Sequence, residues 1–528
     1  MTHSKPQRLK GIVVPLEAGE SALKKAAARE LKCPPADIAA LRIVKMSLDA
    51  RAKAPKRVYM LDVWLKGQSV PPEEPPRAKK ASIIKALKPK EAPIIVGTGP
   101  AGLWAALGCI EAGQPVVLLD RGRPVDERNR DVVGLRRRGQ LNPESNLCFG
   151  EGGAGTYSDG KLYTRVKDGR VRRVYEDLVA FGGPKELLFD AHPHVGTNML
   201  IQILRRMRAF LSDAGCEFRF DAKVDDLLIN ASGRVEGVQL EGGEELLASS
   251  VVLATGHSAR GVYEMLQRHG ASMSRKALAI GARVEHPQAL INEIQLGEFA
   301  DHPGLEAAAY SVTAKVSGRG IYSFCMCPGG FVIPTPTESE HLNVNGMSNS
   351  NRGSRWANSA LVVTVEPEDF YVDTPGDLDA HGALAGLAFQ RHLEKAAFKA
   401  GGGGYVAPAQ RLTDFLNKKL TDLPGSTSYK PGLNASNLHD ILPRRLADPL
   451  ARSLHRFDER MRGFLSEEAI LIGVETTTSS PIRIQRDATS LESPELPGLY
   501  PCGEGAGFAG GIVSSAIDGL KIAEAMTP

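Results

Sequence analysis

The feature that most constrains this chain is a glycine turn, VGTGPAG at residues 96–102, set between a short apolar strand and an apolar helix. Gly97, Gly99 and Gly102 have the G-x-G-x-x-G spacing. The first glycine of such a turn allows a tight bend, the second lets the backbone approach a pyrophosphate, and the third lets the helix pack on the strand. Asp120 ends the next strand, where a carboxylate can accept hydrogen bonds from an adenosine ribose. The segment therefore predicts a β-α-β unit that binds a dinucleotide.

The C-terminal segment LYPCGEGAGFAGGI, residues 499–512, indicates which dinucleotide to expect. A nicotinamide-binding unit is completed close by in sequence, whereas an FAD-binding unit collects its flavin contacts from distant segments, and VVLATG at 251–256 is a second such segment. Glu504 follows a strand and can bind a ribityl hydroxyl, while Gly510 and Gly511 open a helix whose amides can face the flavin pyrimidine ring. An ordinary strand–helix turn would not need five glycines beside an acid. The pattern favours FAD.

Several long motifs together resemble a bacterial family of FAD-dependent dehydrogenases within the two-dinucleotide-binding flavoprotein class related to glutathione reductase. The resemblance covers most of residues 93–526 and rests on VGTGPAGL, GEGGAGTYSDGKLYT, VVLATGHSAR, YSFCMCPGG, ANSALVV, TSSPIRI and LYPCGEGAGFAGGI. It implies an FAD cofactor, and it supplies no substrate because the substrate of that family is unassigned. The chain departs from the family pattern at Thr477, where the family has an arginine, and at Cys148, where it has a glutamine.

The resemblance also gives a role to GEGGAGTYSDGKLYTR at residues 150–165. Related flavoproteins bring a loop at this place across the pyrophosphate and the flavin ring, and bare backbone amides can donate to both without side-chain interference. The alternative is a structural turn capped by Ser158 and Asp159, with Lys161 exposed. The FAD contacts that we predict from all these segments are Gly97, Gly99, Pro100, Ala101, Gly102, Asp120, Arg121, Gly152, Gly153, Gly155, Thr156, Ser158, Val224, Ala254, Thr255, Gly256, Gly503, Glu504, Gly510, Gly511 and Ile512.

Candidates for catalysis must lie near the reactive edge of the flavin, because the flavin itself performs the redox chemistry and the protein supplies orientation, charge and protons. Lys161 can stabilise reduced flavin or a substrate anion, and Asp159 and Tyr322 can carry protons. His257 is more typical of a capping or packing residue.

Candidates for the substrate wall come from two further segments. The segment YSFCMCPGG contains Cys325 and Cys327, and its pattern is typical of buried free thiols. The alternative is that these two cysteines form part of the substrate wall. No second cysteine pair completes a set of zinc ligands, so we predict no metal. Asn349 and Arg352 lie in a polar loop that can hold an anionic substrate, with surface solvation as the alternative.

The predicted fold class is α/β, with a Rossmann-type FAD-binding domain that is discontinuous in sequence, an inserted α+β substrate domain and a small N-terminal β-α-β-β domain. A strand is predicted at 8–16, a helix at 20–32, and two further strands before residue 68. The predicted ranges are 1–68 for the N-terminal domain, 69–91 for a Pro- and Lys-rich linker, 92–275 and 465–528 for the FAD-binding domain, and 276–464 for the insert.

Composition narrows the functional classes. Residues 1–90 contain 20 Lys and Arg against 8 Asp and Glu, which leaves 45 against 53 in the rest of the 528-residue chain, so the net charge of +4 has its origin in the N-terminal region. The seven scattered cysteines are typical of reduced thiols, and neither an apolar leader nor a run of about 20 apolar residues occurs, so we expect a cytoplasmic protein without a membrane partner.

Three functional hypotheses follow. The first is an FAD-dependent dehydrogenase or reductase of a small molecule. No second G-x-G-x-x-G follows a strand, so we predict no dedicated nicotinamide-binding domain. The electrons would then come from the substrate, from transiently bound NAD(P)H or from a protein partner. The second is a flavin monooxygenase or oxidase, which air reoxidation of the reduced protein would distinguish. The third is an RNA-associated flavoprotein that uses the basic N-terminal domain. Against nucleic acid, only Tyr59 and Trp64 are aromatic residues on the strands of that domain.

Overall fold

The computed structural model of the chain describes residues 4–49, 55–72, 76, 92–371 and 377–527. Its first part is a small unit, residues 4–72, which we call the N-terminal unit. A helix packs on one face of a three-stranded antiparallel sheet of order β1-β3-β2. The elements are β1 (Gln7–Pro15), α1 (Glu20–Glu30), β2 (Ile38–Asp49) and β3 (Lys56–Leu65). Leu61 and Val63, both fully buried, are the centre of a core that belongs to this unit alone.

The next part of the chain, 92–268, begins with the glycine turn and alternates short strands with helices. Its elements are β4 (Ile94–Val96), α2 (Pro100–Glu111), β5 (Val117–Leu119), α3 (Val125–Arg138), α4 (Arg170–Ala180), α5 (Thr197–Asp213), β6 (Glu217–Arg219), β7 (Val224–Ile229), β8 (Val235–Leu240), β9 (Glu245–Leu247), β10 (Val251–Leu253) and α6 (Arg260–Arg268). Strands β7, β8 and β9 form a separate antiparallel meander.

The last part contains most of the antiparallel strands. Its elements are β11 (Met273–Arg275), β12 (Leu278–Pro287), α7 (Gln288–Leu296), β13 (Thr313–Val316), β14 (Arg319–Cys327), β15 (Phe331–Pro334), β16 (Val344–Met347), β17 (Trp356–Val365), α8 (Asp377–His381), α9 (Ala385–Gly401), β18 (Ala407–Arg411), α10 (Leu412–Asn417), β19 (Leu433–Ala435), α11 (Arg444–Arg460), β20 (Ile470–Glu475), β21 (Ile482–Ile484), β22 (Leu499–Pro501) and α12 (Ile512–Met526).

A five-stranded parallel sheet of order β22-β10-β4-β5-β6 joins the two ends of the chain after residue 92. Counted along the chain this is the strand order 3-2-1-4-5 of doubly wound sheets. Helices α2 and α12 cross closely on one face of the sheet, because a Cβ on Gly519 would come 2.1 Å from the carbonyl oxygen of Ala101. The carboxyl ends of β4, β5, β10 and β22 therefore open at one edge.

A second, seven-stranded sheet of order β13-β14-β17-β12-β20-β18-β19 faces that edge. Its central strands are buried on both faces, and helices α7, α9 and α11 pack around it in the largest apolar core of the described residues. All of its pairings are antiparallel except β18 with β19. The mixed α/β character that the sequence predicts is confirmed at this level.

The predicted strand at 8–16 and helix at 20–32 are confirmed as β1 and α1, to within two residues. The domain ranges stay predictions, and most of the predicted linker lies outside the described residues. The predicted boundary at 464 falls before β20, which pairs with β12 in the seven-stranded sheet. No helix in the described ranges is long and apolar enough to cross a membrane.

Candidate active site

A cleft lies between the open edge of the parallel sheet and the seven-stranded sheet. The near wall begins where the parallel strands end, at Gly97 after β4, Asp120 after β5 and Ala254 after β10. Phe324 and Cys325 from β14 stand on the far wall. Ligands of doubly wound sheets bind at this edge of the strands. The structure therefore brings distant segments of the chain together around one site.

Most of the predicted FAD contacts line this cleft, and four do not. Those on its surface are Gly97, Gly99, Pro100, Ala101, Asp120, Arg121, Gly153, Gly155, Ser158, Val224, Ala254, Thr255, Gly256, Glu504, Gly510, Gly511 and Ile512. The other four are buried and do not line the cleft: Gly102, Gly152, Thr156 and Gly503. Lining the cleft is what a cofactor contact requires, and the individual contacts stay predictions.

The glycine turn has the geometry that its spacing predicts. Gly97 has φ +107°, and a Cβ there would come 2.3 Å from the carbonyl oxygen of Ala254 on the neighbouring strand. A Cβ on Gly102 would come 1.9 Å from the Gly97 carbonyl oxygen, so this glycine lets α2 pack against the turn. At Gly99 the space is open, because the nearest atom to an added Cβ is the Cα of Gly153 at 3.8 Å. The middle glycine thus faces the cleft.

Asp120 ties the turn to two other segments. One carboxylate oxygen accepts from the backbone N–H and the hydroxyl of Thr98, at 3.0 and 2.6 Å. The other accepts from the backbone N–H groups of Gly122 and Gly150, at 2.9 and 3.0 Å. A carboxylate has about four acceptor sites, so a ribose hydroxyl would have to share them with these protein donors. Asp120 braces the cleft wall, and its predicted contact with ribose stays a prediction.

Glu504 is the one acid of the C-terminal glycine segment on the cleft surface. It follows β22, and within the described part of the chain its carboxylate has no hydrogen-bond partner. Burial raises the pKa of the Glu504 carboxyl to about 7, an effect that the positive charge of Lys276 opposes. Added Cβ atoms at Gly256, Gly510 or Gly511 would meet no atom within 4 Å. An unpartnered carboxylate and bare backbone therefore face the same space.

Asp159 and Lys161 lie at the end of the cleft beside Cys325 and Cys327 of the far wall. Asp159, 4% exposed, accepts hydrogen bonds from the Ser348 hydroxyl and from Arg352, the latter at 3.1 Å. Lys161 Nζ is 3.8 Å from the Asp159 carboxylate and remains partly exposed to the cleft. Arg352 thus reaches the cleft only through Asp159. Burial and the charge of Arg352 lower the pKa of the neighbouring His194, which keeps this imidazole neutral at pH 7.

Tyr322 and Asn349 are not among the residues that line the cleft. Tyr322 lies two residues before Phe324 on the same face of β14, outside the cleft wall, and Asn349 is exposed in the loop after β16. A direct contact of either with a ligand in this cleft is therefore not supported. Residues that the sequence did not single out do line it, among them Thr98, Lys223 and Phe324. Their types are common and their positions depend on the tertiary fold, so no sequence signal marks them.

Cys325 stands at an irregularity of β14 that turns it to the cleft. The pairing of β14 with β17 slips between Phe324 and Cys327, and Cys325 has φ +43°, in the left-handed region. Fully buried Arg283 donates to the Cys325 carbonyl oxygen at 3.0 and 3.2 Å, and holds this backbone in place. The expectation of a buried thiol is confirmed for Cys327 and wrong for Cys325, whose side chain is exposed to the cleft. The surrounding protein atoms still raise the pKa of the Cys325 thiol to about 11, so it is protonated at pH 7. Both cysteines of this segment are free thiols, and the Cys327 thiol donates to the Cys325 carbonyl.

His257 also lines the cleft, and it is neutral. Its Nδ1 lies 2.8 Å from the Ser258 hydroxyl, and burial lowers its pKa to about 4. Among the residues that the structure describes, no group of three or more His, Cys, Asp or Glu side chains is placed to hold a metal ion. Beside Cys325 the protein offers the Lys161 amine, the Asp159 and Glu504 carboxyls and the protonated Cys325 thiol.

Comparison with known proteins assigns the cofactor. A family model described as an FAD-dependent protein, C-terminal domain-like, matches residues 277–478. An uncharacterised protein of Clostridium beijerinckii is 41% identical over 531 residues, which cover 98% of each chain. This chain belongs to an FAD-dependent flavoprotein family. A second model, for a domain of unknown function, matches residues 7–64 of the flavoprotein.

Two further similarities are weaker. A menaquinone reductase of Mycolicibacterium smegmatis is 26% identical over 167 residues, which are 31% of this chain and 37% of that protein. The crystal structure of CtdE in complex with FAD has 9% sequence identity and a TM-score of 0.31, with 82% of each chain covered.

The residues of the cleft fit FAD. Added Cβ atoms at Gly256, Gly510 and Gly511 would occupy open cleft space. Gly99 and Gly153 lie next to each other in the cleft, and neither has a side chain to fill the space. The N-terminus of α2 opens at this point, where helix amides favour a pyrophosphate. Glu504 supplies an unshared acceptor for hydroxyl groups further along. FAD is the cofactor of this flavoprotein, with the glycine turns as its predicted cradle.

Proposed function

We propose that the flavoprotein is an oxidoreductase that exchanges a hydride between FAD and a small molecule. The small molecule is held at the end of the cleft that Lys161 and Asp159 line, which we call the substrate end. The observation that carries the proposal is the set of groups beyond the glycine turns. Lys161, Asp159 and Glu504 reach the cleft surface there, opposite Phe324 and Cys325. A site that only anchored a cofactor would not need the Lys161 amine beside the Asp159 carboxyl at this end.

The proposed roles follow from the environment of each group. FAD supplies the hydride transfer. Lys161 binds an acidic group of the substrate, and Asp159 fixes the position of this amine while Arg352 and Ser348 balance the Asp159 charge. Glu504 exchanges a proton near pH 7, because the pKa of its carboxyl lies there. The protonated Cys325 thiol forms a wall without carrying charge.

We propose further that the fold divides as the sequence suggests. The parallel sheet and its helices form an FAD-binding domain built from two separated segments, and the seven-stranded sheet forms the inserted domain that covers the substrate. The insert extends to Glu475 rather than residue 464, because β20 belongs to its sheet. The source or destination of the electrons is the substrate, a transiently bound NAD(P)H or a protein partner.

The test is anaerobic reduction of the purified yellow protein. Organic acids, NADH and NADPH are added one at a time, and bleaching of the flavin absorbance is followed. We expect one class of acidic substrate to bleach the flavin, and Lys161→Met to raise the concentration needed by about tenfold to a hundredfold, the size of one charge-assisted hydrogen bond. The substitution should leave FAD content unchanged.

The same experiment separates the alternative functions. The reduced protein is mixed with air in a stopped-flow instrument. Reoxidation within milliseconds, with peroxide or an oxygenated product, would replace the proposal by an oxidase or monooxygenase. Bleaching by neutral compounds alone, with Lys161→Met behaving as the parent protein, would refute the acidic substrate and the role of Lys161.

A further inference from the structure

Arg128, in helix α3, is a fully buried arginine that lies behind the glycine loop of the cleft. Its side chain has no exposed surface, and its guanidinium lies 4.9 Å from the ring centre of Tyr157. It does not line the cleft itself. Within the described residues no carboxylate forms an ion pair with it, and the negative charges of Asp120 and Glu151 act on it only from a greater distance.

The guanidinium instead gathers backbone carbonyl groups of one loop. Its Nε donates to Asn146 at 2.8 Å, and its two terminal nitrogens donate to Gly150 at 3.1 Å, Glu151 at 2.5 Å and Gly153 at 2.9 Å. The planar fork of arginine presents donors in fixed directions, so it defines the path of this loop. A Cβ on Gly150, which has φ +107°, would come 2.6 Å from Cδ of Arg128. This contact explains why the loop begins with glycine.

The loop held in this way abuts the first glycine turn. The N–H of Ala154 belongs to the same planar peptide unit as the Gly153 carbonyl, so it points away from Arg128. Gly153, Ala154 and Gly155 line the cleft. A Cβ on Gly153 would come 3.2 Å from the Cα of Gly99. Carbonyl oxygens are thus turned inwards to Arg128 beside the place where a dinucleotide pyrophosphate binds.

We propose that Arg128 is a positioning residue for the pyrophosphate of FAD. It turns the carbonyl groups of residues 146–153 away from the phosphates, presents the loop amides in their place, and carries a buried positive charge that the pyrophosphate balances. A cation without a partner acid is costly in a protein interior. The proposed role requires a positive charge beside the pyrophosphate site. If Arg128 only held the shape of the loop, neutral hydrogen-bond donors could do the same.

The test compares two fragments of the cofactor. Full-length apoprotein, obtained by reversible release of FAD, is titrated with ADP and with AMP, which differ by the second phosphate. For the parent protein we expect ADP to bind at least about tenfold more tightly than AMP. Arg128→Met should bring the two affinities within about twofold of each other and weaken FAD about a hundredfold, while Arg128→Lys should fall between.

The matched control is Arg136→Met. Arg136 lies on the same helix, and its guanidinium lies 5.5 Å from the ring centre of Phe331, away from the loop. It should keep the parent ratio of ADP to AMP affinity. An Arg128→Met protein that kept the ratio, or that lost ADP and AMP binding equally, would overturn the proposal, because a purely structural role moves both affinities together. If Arg128→Met does not fold, the ratio in Arg128→Lys decides in the same way.

Discussion

At the scale of single residues, Glu504 has the most unusual chemistry of the site. A carboxyl with a pKa raised to about 7 is protonated in the folded apoprotein between pH 4.5 and 7, whereas it is ionised in the unfolded chain. The folded state then binds more protons than the unfolded state, so this group makes the apoprotein less stable as pH rises through that window. The same sign holds for Glu475, whose pKa burial also raises to about 7.

Glu504→Gln should therefore stabilise the apoprotein at pH 8 and much less at pH 5. The upper limit of the gain is about 3 kcal/mol, since each pKa unit corresponds to about 1.4 kcal/mol. The measurement is urea unfolding at the two pH values. Glu467→Gln is the control, because Glu467 is 82% exposed and should change stability at neither pH. Equal stability of Glu504→Gln and the parent at pH 8 would show that the carboxyl is not protonated by burial.

The same residue should matter for the cofactor. If Glu504 accepts a ribityl hydroxyl, Glu504→Ala loses one hydrogen bond to a charged group, about 1.5 to 3 kcal/mol, and weakens FAD tenfold to a hundredfold. Glu504→Gln should have a milder effect, because the amide oxygen is still an acceptor. Fluorescence titration of the apoprotein with FAD measures both. Unchanged affinity of Glu504→Ala would assign the C-terminal glycine segment to packing.

Gly99 and Gly97 should respond differently to substitution. Gly99 has φ −75° and open space around an added Cβ, so Gly99→Val should fold with parent-like stability and lose FAD. Gly97→Ala places a Cβ 2.3 Å from a backbone oxygen at φ +107°, so the apoprotein itself should be destabilised. Apoprotein melting temperature and FAD content separate the two effects. Full FAD occupancy in Gly99→Val would make the motif a structural turn.

At the scale of elements, strand β14 shows what the sequence could not reveal. The pairing slip and the left-handed Cys325 depend on Arg283 of β12, which pairs with Glu475 of β20 at 2.8 Å and bonds Asn358 of β17 at 3.1 Å. These contacts come from three separated strands, and no local pattern encodes them. In contrast, β1 and α1 follow from their own periodicity, because each buries one face against the other.

Arg283→Met should destabilise the protein by about 3 to 5 kcal/mol, because it leaves the fully buried Glu475 without its partner. The double variant Arg283→Met, Glu475→Leu should be more stable than the single variant, since it removes the orphaned carboxyl as well. Urea unfolding of the parent, both single variants and the double variant gives the coupling energy. Additive losses would mean that the two side chains do not interact.

Across the flavoprotein as a whole, the sequence predicts the cofactor cleft better than the seven-stranded sheet that faces it. The glycine segments carry their own signals, and they meet because parallel strands end at one edge. The seven-stranded sheet is formed by strands buried on both faces, such as β12 and β17, where periodicity distinguishes poorly between strand and helix. The N-terminal unit differs from both, because its strands and helix can be predicted from the sequence, whereas its contact with the rest of the protein cannot.

Docking of the N-terminal unit uses the free edge of β2. Met46 donates to the Phe189 carbonyl at 2.7 Å and accepts from Ala191 at 2.8 Å, which adds a short parallel bridge to the edge. Pro193, two residues after Ala191, accepts a hydrogen bond at 2.9 Å from the N–H of Leu162, the residue that follows Lys161. No residue before 92 in the described ranges lines the cleft. The unit therefore supports the proposed substrate end from outside, and none of its described residues lines the cleft.

A chain that starts at Ala92 should accordingly fold and hold FAD. The N-terminal unit has a core of its own, and its removal leaves the core of the parallel sheet complete. We expect FAD affinity within about threefold of the parent, a difference below about 0.7 kcal/mol. The melting temperature should fall, because the 189–191 segment loses its strand partner, and the apparent affinity for the acidic substrate should weaken through Lys161.

Met46→Pro in the full-length chain is the matched control, since it removes one docking donor and should reproduce the weaker substrate binding with FAD unchanged. A truncated protein that folds without binding FAD would refute the separation, whereas unchanged substrate affinity in both proteins would show that docking does not reach Lys161.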